Sequence, residues 1–197
     1  MGHARLEQSE FFFDLGSPYA WLSAERVDSV FELAGLEGPV WRPILLGGLF
    51  QRFDRSSWAR TERREAGISE IERRARQYGL PEPVWPDPWP DSYLVAMRVA
   101  TYAEQEGRLK EFTLASFRDA FTGGIDQAVP KHVLAAAANA GLDPDAAERA
   151  AAEPKIKQAL IDATRRAGDL GVTGVPSFRI GDEVFWGDDR LDQAISN

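Results

Sequence analysis

Residues 9–27 read SEFFFDLGSPYAWLSAERV, and the reading of this stretch decides the fold. Residues 9–15 form a short Phe-rich apolar run of the kind that makes a buried strand. Ser17-Pro18 then reads as a helix start. Serine is a favoured N-cap, and proline at the first helical position gives up no needed hydrogen bond. Trp21, Ala24, Val27, Phe31 and Ala34 recur at three- and four-residue steps, which predicts one helix with a single apolar face, ended by Gly35 and Gly38-Pro39. Residues 40–46 (VWRPILL) predict a second strand, with Pro43 restricting part of it to an edge or a bulge. Strand, helix and strand in this order make a βαβ unit.

Further along, the character changes. Residues 56–78 are charged and helical in rhythm, with Ile68, Ile71, Ala75 and Tyr78 as a thin apolar side. A proline-rich connection, 79–91 (GLPEPVWPDPWPD), carries Trp85 and Trp89. Helical segments are predicted over 92–106, 109–122, 130–140, 143–152 and 154–170. The strand pattern returns as a hairpin, 177–180 and 183–186, around a Gly181-Asp182 turn. Asp188 or Asp189 is placed to cap a last helix running through Ile195. The expected architecture is α/β, with residues 1–46 and 166–197 forming one domain and 47–165 a large all-helical insertion.

Composition excludes several kinds of chemistry. The 197 residues carry a net charge of −8 and no basic stripe, which argues against nucleic acid as a partner. No apolar run is long enough for a bilayer, and the first ten residues lack a secretory pattern, so a cytoplasmic protein is expected. There are no cysteines, which removes disulfides, thiolate metal sites and any use of the protein's own thiol. With only His3 and His132 present, neither a metal centre nor a Ser-His-Asp relay is expected.

Three local patterns remain as candidates, each with a purely structural alternative. Ser17 at the strand end is either a simple N-cap or a ligand-facing hydroxyl, and one oxygen can serve both ends. Since the chain has no cysteine, a thiol at this helix start has to arrive with a ligand. Val175-Pro176 is either an ordinary strand entry or a cis bond offering the Val175 backbone to an extended ligand. Asp188 and Asp189 are helix caps or partners for a ligand ammonium group. Beside these, the arginine-rich residues 60–76 read as a solvated, ion-paired face. Trp85 and Trp89 belong either to the core or to a substrate cleft.

The segments FFFDLGSPYAWLSAERV (11–27) and GVTGVPSFRIGDEVFWGDDRLD (171–192), with ILLGGLF (44–50) and RRARQYGLP (73–81) between them, resemble the 2-hydroxychromene-2-carboxylate isomerase family. That family is grouped with kappa-class glutathione transferases and DsbA-type disulfide oxidoreductases. The resemblance implies a thioredoxin-like core interrupted by a helical domain. It places Ser17 and Ala20 where the oxidoreductases keep cysteines, so dithiol exchange is ruled out. By the same resemblance Ser17 is catalytic, stabilising the thiolate of glutathione as cofactor. Val175, before a cis Pro176, pairs with the glutathione backbone, while Asp188 and Asp189 lie near its γ-glutamyl end. Arg55 and Arg63 take the family's basic positions in the ligand site, where the pattern has changed to Asp54-Arg55, Arg63 and Glu70. Asp188 stands where a small or neutral residue is common, and its charge calls for Arg190 or another cation to offset it. The implied activity is isomerisation of a small aromatic-degradation substrate by a homodimer. A kappa-like transferase and a non-catalytic thiol-binding protein are the alternatives.

Overall fold

Strand β1 (Glu10–Phe13) organises the sheet. It pairs in parallel with β2 (Val40–Pro43) and antiparallel with β3 (Ser177–Ile180), and β4 (Glu183–Trp186) lies outside β3. This is a computed structural model, and it describes residues 8–196, so His3 lies outside the described residues. Side chains of β1 alternate between two buried faces. Phe11 and Phe13 join Trp41 and Phe178 on one side, and Phe12 joins Ile44, Leu49 and Val172 on the other. Burial on both faces is why three phenylalanines run on without a polar interruption. Pro43 ends the edge strand β2, where its missing N–H leaves no neighbouring ladder short.

The predicted single helix over 17–34 is two helices, α1 (Pro18–Ala24) and α2 (Val27–Leu33). The last turn of α1 tightens, with Arg26 N–H donating to Ser23 O at 3.0 Å, and the axis restarts. The apolar spacing runs unbroken across the junction, so periodicity cannot reveal the change of axis. Its result is that the Arg26 guanidinium lies 3.7 Å over the Tyr78 ring.

Leu46 opens α3 (Leu46–Arg52) instead of closing the second strand. The helix expected from residue 56 starts later, as α4 (Arg64–Gln77), after a 3-10 turn at Trp58–Arg60. Thr61 is extended there (φ −124°, ψ 177°), which separates the two. Helices α5 (Leu94–Gln105), α6 (Leu109–Phe121), α7 (Pro130–Asn139), α8 (Pro144–Ala152) and α9 (Pro154–Asp169) follow close to their predicted spans. Asp143 caps α8 through Asp145 N–H at 2.9 Å. A 3-10 turn at Asp188–Arg190 leads into α10 (Leu191–Ile195).

The expected boundaries at 46/47 and 165/166 fall inside α3 and α9. Both helices pack on the Phe12 side of the sheet through residues such as Leu49 and Ala167. On the other side, α6 brings Phe117 to 6.2 Å from Phe13 and Phe121 to 5.9 Å from Trp21. One apolar cluster thus continues from the sheet into the helical insertion.

Candidate active site

A cleft of about 680 Å³ opens between the sheet's loop end and the insertion. Its walls include Ser17, Arg55, Arg63, Val175, Pro176, Asp188 and Asp189, so every site residue predicted from sequence lies in one place. Glu70 lies behind the wall, bonded to Arg73 and Arg74. Of the two tryptophans of the proline-rich connection, Trp89 lines the cleft, and Trp85 packs behind it at 4.7 Å.

Ser17 caps α1, its Oγ accepting the Ala20 N–H at 3.2 Å. Its own proton has no acceptor among the described residues, so it is free to be donated toward the cleft. The turn carrying it is fixed by Asp14. That carboxylate accepts from Gly16 N–H and Leu46 N–H, each at 2.8 Å, and the Asp14 carbonyl accepts Ser17 N–H at 3.0 Å. Burial pushes the Asp14 carboxyl above its ordinary range, against the pull of the two amides.

Opposite, the Val175–Pro176 bond is cis. Pro176 O accepts Gly187 N–H at 2.9 Å, and Ser177 Oγ donates to Gly174 O at 2.7 Å. Among the described residues, neither the N–H nor the C=O of Val175 has a hydrogen-bond partner. Buried backbone groups without partners are rare, and these two border a cleft. Beside them stands Trp186, with Arg55 stacked over it at 4.2 Å and donating to Thr173 O at 3.1 Å. Arg63 is exposed and forms no ion pair among the described residues.

Neither aspartate of the 187–191 segment caps a helix, contrary to expectation. Gly187, at φ +120°, turns the chain so that Asp188 points inward to α4. Asp188 is 1% exposed; Arg74 donates to its Oδ1 at 2.6 Å, and the Tyr78 hydroxyl to its Oδ2 at 3.0 Å. Burial pushes this carboxyl up while Arg74 and the Tyr78 hydroxyl pull it down. The cation offsetting Asp188 is therefore Arg74 and not Arg190. Asp189 remains exposed, 3.5 Å from Arg74.

Arg74, Tyr19, Trp58 and Trp186 are cleft residues that the sequence reading missed. Arg74 was hidden among the arginines of a stretch read as solvated. That reading does fit Arg73, which is more than half exposed. Tyr19 and Trp186 stood inside the two diagnostic segments without being singled out. Trp58, an isolated indole in a polar stretch, was a usable signal. Tyr19 packs on Trp58 at 5.9 Å and Trp58 on Trp89 at 5.7 Å, giving the cleft an aromatic floor. Burial raises the Tyr19 hydroxyl's pKa, partly countered by Arg74, so it remains a donor near neutrality. No helix among the described residues is long and apolar enough to cross a membrane.

Residues 9–196 match the DsbA-like thioredoxin domain, and the chain belongs to that family. Within it, the resemblance read at the two ends of the sequence is borne out. The 2-hydroxychromene-2-carboxylate isomerase of Sphingobium xenophagum is 26% identical over 193 residues, 93% of each chain. A solved 2-hydroxychromene-2-carboxylate isomerase superposes with a TM-score of 0.82 at 22% identity, covering 95% of this chain and 92% of that one. The cytosolic disulfide reductase DsbM of Pseudomonas aeruginosa, solved with GSH, shares the fold with a TM-score of 0.63 at 15% identity, over 96% and 94% of the two chains.

Proposed function

We propose that this chain is a glutathione-dependent isomerase of the 2-hydroxychromene-2-carboxylate type, acting on a small aromatic-degradation intermediate. One observation carries the reading. In a chain without cysteine, a serine hydroxyl with a free proton and an unpaired backbone N–H and C=O border the same cleft. Glutathione, when bound, supplies the thiolate nucleophile that the protein lacks.

The chain's own residues then have separate tasks. Ser17 keeps accepting from Ala20 and donates its proton to the sulfur, favouring the ionised form. Val175 offers one donor and one acceptor to an extended peptide backbone, in the manner of an added strand. Asp189 presents a carboxylate to an ammonium group. Arg55 and Arg63 supply positive charge for carboxylates, with Arg55 already held in place by Trp186 and Thr173. Tyr19, Trp58 and Trp89 give an aromatic ring a flat apolar surface. The residues present therefore fit the tripeptide's chemical groups.

The test follows conversion of 2-hydroxychromene-2-carboxylate to its open-chain isomer by absorbance, with and without glutathione. Turnover that requires glutathione is expected, and Ser17→Ala should lower kcat/KM by about 10²- to 10³-fold, as for loss of one donor to a developing anion. Absence of turnover under both conditions removes the isomerase reading. An unchanged Ser17→Ala enzyme reduces Ser17 to a cap.

A further inference from the structure

Two polar walls of the cleft come from different parts of the chain, Asp188 and Asp189 from the sheet's end and Arg74 from α4 in the insertion. The charges between them are unevenly shared. Arg74 donates Nε to Glu70 at 2.6 Å and Nη1 to Asp188 at 2.6 Å, but reaches Asp189 only at 3.5 Å. Glu70 is also held by Arg73 at 2.8 Å through two nitrogens. Arg26 stacks on Tyr78 and has its own ion partner in Asp192 at 3.4 Å. Exposed Arg190 pairs with neither aspartate among the described residues. Two cations, Arg73 and Arg74, thus face three carboxylates, Glu70, Asp188 and Asp189. The tight contacts balance Glu70 and Asp188. The surplus negative charge rests on Asp189, which is 57% exposed at the cleft.

A buried carboxylate such as Asp188 is tolerated only with its charge paired and its lone pairs occupied, and both conditions depend on Arg74 and Tyr78. Were Arg74 released from Asp188, its Nε bond to Glu70 would remain, but its Nη groups would be free to close on Asp189, already within 3.5 Å, and cancel the surplus. We propose that Arg74 is a specificity-determining residue of the thiol site: by committing its short contacts to buried Asp188 and to Glu70 it leaves Asp189 only a long 3.5 Å contact, so this end of the cleft selects a thiol ligand carrying a cationic amine. The proposal rests on the thiol-site reading above and adds what sets the ligand's required charge. It gives Arg74 a positioning role and no contact with the reacting sulfur. Selection arises as much from keeping Arg74 from closing fully on Asp189 as from attraction to the amine.

Calorimetric titration with three probes tests it: glutathione, glutaryl-cysteinylglycine (no ammonium) and γ-aminobutyryl-cysteinylglycine (no α-carboxylate). The wild type should prefer glutathione over the ammonium-free probe by about tenfold or more, the scale of one charge-assisted hydrogen bond. Asp188→Asn frees Arg74 for Asp189, so this preference should collapse to about onefold. Arg74→Met, which leaves Asp188 unpaired, should weaken glutathione by about tenfold or fail to fold. The double variant Arg74→Met, Asp188→Asn removes both charges together. It should fold, bind glutathione within about threefold of wild type and recover the preference, the coupling expected of directly paired groups. An Asp188→Asn protein that keeps the wild-type preference, or a double variant no better than the singles, overturns the proposal. In either case glutathione binding that Ser17→Ala weakens would leave the thiol-site reading standing. A wild type that binds none of the three probes overturns both.

Discussion

Asp14 is three residues ahead of Ser17, and the position of that hydroxyl depends on it. Its two carboxylate oxygens each accept one backbone N–H, one within its own turn and one from Leu46, 32 residues on. Asparagine keeps the shape but has only one acceptor oxygen, so its amide nitrogen would face an N–H. Asp14→Asn should therefore cost about 1–3 kcal/mol, the penalty for a buried group left unsatisfied. Chemical denaturation at neutral pH measures this; a loss below about half a kcal/mol would mean that water or a shifted turn replaces the bond. Ser17 was legible in the sequence as a cap, and its lone pair does accept the Ala20 N–H, while its hydroxyl proton has no acceptor among the described residues. The role of Asp14 was not legible, because its second partner is a backbone amide, and backbone amides carry no residue signature. Asp188 was legible as an unusual charge but not as a buried one. Its partner Arg74 lies 114 residues away on a helix whose exposed arginines follow the same spacing.

At the scale of elements, the terminal hairpin matches its predicted spans because its signals are local: alternation, and a Gly-Asp turn. The junction of α1 and α2, and the late start of α4, were decided by tertiary packing that periodicity does not register. The start of α4 also has a specific steric dependence. Gly67 lies against the Trp58 indole, and a Cβ there would overlap the six-membered ring. Alanine is worth about 1 kcal/mol more than glycine in a helix interior, so propensity alone predicts stabilisation. The overlap reverses this, because Trp58 is held between Tyr19 and Trp89 and cannot shift alone. Gly67→Ala should lower stability by about 1–3 kcal/mol net and change the near-UV circular dichroism. Under the proposed function it should also raise KM for 2-hydroxychromene-2-carboxylate while leaving any glutathione Kd unchanged, since the disturbed wall is the aromatic one. If spectrum and KM both stay at wild-type values, Trp58 has room to move and the aromatic floor is not rigid.

Across the whole molecule, the change from apolar strands to charged helices was read as a change of domain, while the core runs through both parts. What the sequence could not display is that the chain's separate parts also meet at one charge. Glu10 on β1 is almost fully buried and is contacted by Arg42 of β2 at 2.8 Å, Arg166 of α9 at 2.9 Å and Arg179 of β3 at 3.5 Å. Burial raises the Glu10 pKa, but Arg166 and Arg42 outweigh it and hold the group below its ordinary 4.5. Glu70 is likewise lowered, to about 2, by hydrogen bonds from Arg73 and Arg74. A carboxylate depressed in the folded state binds fewer protons there than in the unfolded chain. Its stabilisation is therefore complete above the unfolded value and is lost as pH falls through the folded one. Asp14 and Asp188, raised by burial, act in the opposite sense and soften the acid loss. Glu70 is a third exposed, so solvent screens its pairs and Glu70→Gln should cost at most about 1 kcal/mol. Glu10→Gln removes the buried carboxylate shared by three arginines, of which Arg42 keeps Glu104 at 3.0 Å and Arg179 keeps Asp182 at 3.8 Å, and should cost about 3 kcal/mol near neutral pH. That difference from wild type should shrink from about pH 5 downward, because the acid protonates Glu10 in the wild type and makes the two proteins alike. Denaturation midpoints measured at several pH values decide it. A Glu10→Gln deficit that is the same in acid as at neutrality would show that the loss comes from packing around Glu10 and not from its charge.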